Sequence, residues 1–159
     1  MMVFVPVTHA EAATLREQGV LGAALVGHAA TPALMSGHDY DESTREDAEY
    51  AALTYAGARA ALTVAQGALR LVLAAEVPPA EASPDPEDAY GRTEVSGLRW
   101  ADVRALFADE PAAGAALAPV RDAATGLELA EALDTPELTR LMDEHDLLWF
   151  APEELDQLA

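Results

Sequence analysis

Lysine, isoleucine, asparagine and cysteine are all absent from this 159-residue chain, and each of its 9 basic residues is arginine. Without lysine there is no Schiff-base amine and no phosphate-loop lysine. Without cysteine there is no disulfide framework, no thiolate zinc site and no cysteine nucleophile. Alanine, by contrast, fills more than a fifth of the sequence. The missing residues favour A/T-rich codons and the abundant ones G/C-rich codons, so the bias points to a G/C-rich genome. That discounts the formal net charge of −19 as a sign of a basic partner.

Long hydrophobic runs are also lacking. Met1 to Val7 has no basic residue before it and meets Thr8 and His9 too early for a signal peptide. No stretch approaches the ~18 apolar residues of a membrane span. The expectation is a cytoplasmic protein without membrane contact. Scarce basic residues and a pI near 4.2 argue against direct binding to nucleic-acid phosphates. The G-x-S-x-G elbow, the G-x-G-x-x-G fingerprint and H-E-x-x-H are missing too.

What is present suits one domain over residues 1–159, a length that buries roughly 70% of the surface exposed by the unfolded chain. Acidity is lopsided. Residues 1–75 hold eight acids against four arginines, and residues 76–159 hold twenty against five. An evenly solvated acidic face accounts for this, and an acidic docking surface is the sharper alternative.

Met2 to Val7 reads as a strand ending near Pro6. Thr8 and Glu11 form a capping box for a helix that Gly19 stops. Val20 to Ala30 reads as a second strand, and Thr31-Pro32 opens a short helix closed by Gly37. Ser43 and Glu46 predict a second capping box, opening the longest helix, to about Gln66. Its apolar face is expected at Ala48, Ala51, Tyr55, Ala58, Leu62 and Ala65, with Arg45, Glu49, Arg59, Thr63 and Gln66 opposite. Ala68 to Val77 reads as a buried strand. The proline-rich stretch 78–89 is expected as a surface loop. Short strands are predicted at Arg92–Val95 and Val103–Ala108, helices at 111–124 and 135–144, and a last strand at Leu147–Phe150.

This order predicts an α/β domain with a central mixed sheet, covering helices and a β-α-β-α-β start. Four segments also carry a resemblance: Val3-Phe4-Val5-Pro6, Thr31-Pro32-Ala33-Leu34, Glu49-Tyr50-Ala51-Ala52-Leu53, and Leu147-Leu148-Trp149-Phe150-Ala151-Pro152-Glu153-Glu154-Leu155. With these the chain resembles a family of small, acidic, uncharacterised actinobacterial proteins. The resemblance spans most of the length, agrees with the codon bias and implies no activity.

If the first strands are parallel, their following segments meet on one sheet edge, where α/β proteins bind ligands. That edge would gather Thr8, His9, His28, Thr31, Glu76, Asp109 and Glu110, with His9, His28 and Glu76 as an acid/base set for a small hydrolase or transferase. His38, Asp39 and Asp41 are the densest metal-ligand types, although a capped helix entrance explains them better. No cofactor or metal is expected. Trp149 and Phe150 alternate along a strand, so one of them is a candidate for a partner or for self-association. The reading that these features favour is a non-enzymatic interaction or regulatory protein with an acidic surface.

Overall fold

The computed structural model describes residues 1–158. The chain forms an α/β domain built on a seven-stranded sheet. In chain order the strands are β1 (Met2–Pro6), β2 (Val20–Leu21), β3 (Leu25–Ala29), β4 (Leu71–Glu76), β5 (Ala82–Pro84), β6 (Arg92–Val95), β7 (Leu98–Arg99), β8 (Val103–Ala108) and β9 (Leu148–Phe150). The helices are α1 (His9–Gln18), α2 (Pro32–Gly37), α3 (Arg45–Thr63), α4 (Gly114–Ala124), α5 (Leu129–Leu133) and α6 (Pro136–Glu144). The large sheet runs β5-β6-β3-β1-β4-β8-β9, and β2 with β7 makes a separate two-stranded ribbon.

Every neighbouring pair in the large sheet is antiparallel, which corrects the expected mixed sheet with a parallel start. The apparent strand Val20 to Ala30 is in fact two strands, interrupted by the exposed Gly22-Ala23-Ala24. The extra segment reverses the direction in which β3 enters the sheet. Because β1 runs opposite to both β3 and β4, those two strands run parallel with β1 between them. Helix α3 is their crossover, so the unit is a split βαβ with the N-terminal strand inserted in its middle.

Alternation along the strands divides the core between the two sheet faces. Val3 and Val5 point with Leu71, Leu73 and Leu106 towards α1, where Ala12 and Leu15 cover them together with Leu155. Phe4, Val72 and Ala74 point the other way, onto Ala48, Ala52, Ala56 and Ala60 of α3. A second helical layer, α4 to α6, packs Leu117, Val120, Leu138 and Leu141 against Ala58 and Ala61 on the far side of α3. The stripe that meets the sheet is therefore a run of alanines four apart. The expected face is displaced from it because α3 is buried on two flanks; Ala51 and Tyr55 are half-buried and Ala65 is exposed.

Two further expectations need correction. Asp41 caps the entrance to the long helix: its carboxylate accepts from the Ser43 amide and Thr44 answers the Asp41 amide, so a 3-10 turn at Glu42–Thr44 precedes α3. Ser43 and Glu46 do not form the predicted box. The proline-rich stretch holds a 3-10 turn at Pro79–Glu81 and then β5, which pairs with β6 through Ala82, Ser83 and Pro84. A proline is tolerated there because β5 is an edge strand.

One buried ion pair ties the layers together. Arg70, just before β4, meets Asp109, just after β8, through Nε–Oδ2 at 2.9 Å and Nη2–Oδ1 at 2.7 Å. The same guanidinium donates to the Gly57 carbonyl of α3 and to the His145 carbonyl beyond α6. The Arg70 amide also donates to Asp109 Oδ2. Removing one member strands a buried charge, so Asp109→Ala is expected to cost about 3–5 kcal/mol. Arg70→Met combined with Asp109→Leu should cost less than the two single changes together, as urea unfolding of the three variants will measure.

Candidate functional site

The antiparallel sheet disperses the predicted ligand edge. His9 follows the C-terminal end of β1, whereas Glu76 pairs with Met2 at the opposite end, and His28 pairs with Phe4 between them. Glu76 accepts from the Met1 amino group at 2.8 Å. His9 lines a mostly apolar cavity of about 440 Å³ with Val7, Ala60, Val64 and Leu69, and its buried Nδ1 has no partner. Burial lowers the His9 pKa. The structure thus leaves His9, His28 and Glu76 in three separate surroundings. Thr8 and Thr31 cap α1 and α2 as read, while Asp109 belongs to the Arg70 pair.

His38, Asp39 and Asp41 do not converge either. The His38 ring bonds the Ala89 carbonyl through Nε2 and stands 5.9 Å from Tyr55, ring centre to ring centre. Asp39 sits in the left-handed backbone region at φ 58°. The Ser43 hydroxyl and amide hold the Asp41 carboxyl below the usual carboxylate range. Among the described residues no group of three or more His, Asp or Glu side chains is placed to hold a metal ion.

One predicted residue does anchor a built site. His28 is fully buried on β3, directly opposite Arg92 of β6. Paired residues in a sheet share a face, and this face carries α3. From α3, the Arg59 Nε–H donates to His28 Nε2 at 2.8 Å, and His28 Nδ1 lies 2.7 Å from the Tyr90 carbonyl. A carbonyl only accepts, and Nε–H of arginine only donates. The imidazole is therefore neutral, with its proton on Nδ1. Burial is the main cause that lowers its pKa from 6.5 to about 4, with the Arg59 and Arg92 charges adding to it against the Tyr90 hydrogen bond.

Gly91 makes this arrangement possible. It holds φ 76°, and a Cβ there would sit 2.1 Å from the Ala29 carbonyl oxygen and 2.9 Å from Leu34 Cδ1. Its own carbonyl accepts from the Ala29 amide and from the Thr93 hydroxyl. The glycine thus aims the Tyr90 carbonyl at His28 on one side and starts β6 with Arg92 on the other. Ahead of it, Asp85 and Asp88 each accept from the amide two residues on, which shapes the 85–91 loop into turns.

Arg59 and Arg92 open onto a cleft of about 640 Å³ whose walls include Asp88, Tyr90, Glu128 and Leu129. Arg59 is half-buried, and desolvation followed by the Arg92 charge lowers its pKa. Five other arginines reach a carboxylate: Arg16, Arg45, Arg70, Arg99 and Arg140. Arg104 and Arg121 donate to backbone carbonyls. Among the described residues, the guanidinium of Arg92 makes no hydrogen bond and the Nη groups of Arg59 make none, while the Arg92 carbonyl accepts from the Asp85 amide.

Compared with known protein families, the chain matches one family model along residues 1–159. It belongs to the family of unknown function DUF6912. Neither curated proteins nor solved structures give a match. Among the described residues of this DUF6912 chain, no helix is long and apolar enough to cross a membrane.

The sequence singles out His28 but places Arg59 on the solvent face of α3 and Arg92 only in a strand, and it assigns no role to Tyr90, which falls between the expected loop at 78–89 and that strand. The one available signal was Arg92 itself, a lone base following Asp85, Glu87 and Asp88. Two measurements check the site. Between pH 6.5 and about 4 the unfolded chain protonates His28 while the folded one resists. Stability is therefore lost as pH falls through that window, by on the order of 3 kcal/mol. His28→Gln keeps a donor and an acceptor without titrating, so its stability should fall less over this range, and a slope equal to that of the wild type would refute the assignment. Gly91→Ala should destabilise by at least about 2 kcal/mol, through forced positive φ and contact with Ala29. Thermal unfolding will show it.

Proposed function

We propose that this protein is a cytoplasmic, non-enzymatic binding protein whose recognised group is an oxyanion, carboxylate or phosphate, seated between Arg59 and Arg92. One observation carries the reading: in a chain with 28 acidic residues, these two guanidiniums share a cleft and, among the described residues, neither has a carboxylate at ion-pair distance. Guanidinium forks recognise carboxylates and phosphates through charge-assisted hydrogen bonds, which are about twice as strong as neutral ones. Holding Arg59 by Nε leaves its two terminal nitrogens free for such a group, and the buried imidazole removes the rotamer freedom that binding would otherwise have to freeze.

The non-enzymatic part of the proposal has its own support. His28 commits both nitrogens to Tyr90 and Arg59, so it is not free to carry a proton to a bound molecule. No hydroxyl of serine or threonine stands among the cleft's lining residues as a nucleophile.

Titration of the wild type with acetate and with inorganic phosphate at low ionic strength, followed by NMR, tests the proposal. Saturable shifts are expected at the amides of residues 88–92 and at the Arg59 Nε–H. Arg59→Gln or Arg92→Gln should weaken binding by about 10- to 100-fold, the loss of one charged hydrogen-bonding group. Unsaturable shifts in the wild type, or equal binding by the double variant, would overturn it.

A further inference from the structure

We infer that the cleft selects a zwitterion of amino-acid type, its carboxylate on Arg59 and Arg92 and its ammonium towards Asp88 and Glu128; this rests on the oxyanion reading above. The two guanidiniums do not lie in a uniformly basic hollow, since Asp85, Glu87, Asp88 and Glu128 line it with them. Asp88 and Glu128 both act electrostatically on Arg59, yet neither comes within 4.0 Å of it in an ion pair. Asp88 is half-buried, and its Oδ1 is taken by the Tyr90 amide, so its position is fixed by the turn. Glu128 lines the cleft from the position just before α5, where its side chain makes no cap hydrogen bond.

This layout discriminates by charge. A phosphate dianion would gain from two arginines and be repelled by the carboxylates facing them. A lone cation would be drawn to the carboxylates but would leave the two guanidiniums unanswered. A molecule with one negative and one positive group a few ångströms apart satisfies both pairs, and each mismatched alternative leaves a charge facing one of its own sign. Leu129, Ala130 and Ala89 supply apolar lining beside these groups, which suits a small hydrocarbon side chain. The cleft volume of about 640 Å³ is ample for such a molecule.

The probes are L-leucine, N-acetyl-L-leucine, which lacks the ammonium, and isoamylamine, which lacks the carboxylate. Calorimetric or NMR titration of the full chain should give L-leucine at least about tenfold tighter than either analogue. Asp88→Asn keeps the acceptor for the Tyr90 amide, and combined with Glu128→Gln it should abolish the preference for L-leucine over N-acetyl-L-leucine. Far-UV circular dichroism and unfolding of this variant will confirm that it is folded. N-acetyl-L-leucine binding as tightly as L-leucine would overturn the zwitterion inference and leave the oxyanion reading standing. Failure of all three probes while acetate still saturates the site would do the same. Failure of acetate, phosphate and all three probes would remove both.

Discussion

A nineteen-residue helix packed on both flanks sets the terms for this protein. Helix α3 lies between the sheet and a second layer of helices, so its contact positions are small: Ala48, Ala52, Ala56 and Ala60 towards the strands, Ala58 and Ala61 towards α4 to α6. Small side chains let the helix approach closely, but they also give it little shape to lock its position along the sheet. Two polar contacts supply that lock. Near the middle of α3 the Gly57 carbonyl accepts from Arg70 of the β4 side, and two residues on Arg59 donates to His28 of β3. Since β3 and β4 flank β1, the helix is pinned to both strands that it connects. Gly57 sits close under its neighbours: a Cβ there would stand 3.1 Å from Leu147 Cδ1, which would have to shift by a few tenths of an ångström, and in ordinary contact at 3.5 Å with the Arg70 guanidinium.

The two contacts differ in what they leave over. Arg70 is enclosed and its nitrogens are answered by Asp109, Gly57 and His145, so it is a structural group with nothing to offer a ligand. Arg59 is held by a single neutral nitrogen and keeps its charged end at the cleft. A carboxylate in place of His28 would have neutralised the guanidinium. A neutral imidazole orients it and leaves the charge uncompensated, at the cost of making the arrangement sensitive to acid: a protonated His28 would turn its acceptor into a donor facing the Arg59 Nε–H.

Much of the fold was legible because hydrophobic period and caps are local. The capping box at Thr8 and Glu11, the Gly19 stop, the strands at Arg92–Val95 and Val103–Ala108, the helix after Thr135-Pro136 and the closing strand all stand where the pattern puts them. Trp149 is 61% exposed while Phe150 packs on the core, as alternation requires. Direction was not legible. A run of eleven apolar and small residues contains no sign that Gly22-Ala23-Ala24 breaks it into two strands of different sheets, and that one break decides whether β1 and β3 are parallel. The helix α5 was missed because five residues carry too little period to show. The site inherited both failures. His28 is visible as a polar residue in an apolar run, but its partners come from a helix face read as solvated and from Tyr90, which lies between the expected loop at 78–89 and the strand at Arg92–Val95.

The acidity of the chain, discounted at first as a product of codon bias, gains meaning from the exceptions to it. A compositional drift towards aspartate and glutamate acts everywhere, and so most arginines here meet an acid nearby, including the exposed pairs Arg45–Glu42, Arg99–Asp102 and Arg140–Glu144 that contribute little to stability. Against that background Arg59 and Arg92 stand out because they share one cleft and, among the described residues, neither forms an ion pair. Facing each other across β3, β6 and α3, they oppose one another electrostatically, and packing alone gives no reason to bring them together. The buried histidine and the tight turn at Gly91 keep them there. Like charges kept in one cleft, beside acids that form no ion pair with them, leave an attraction that the proposed zwitterion would satisfy.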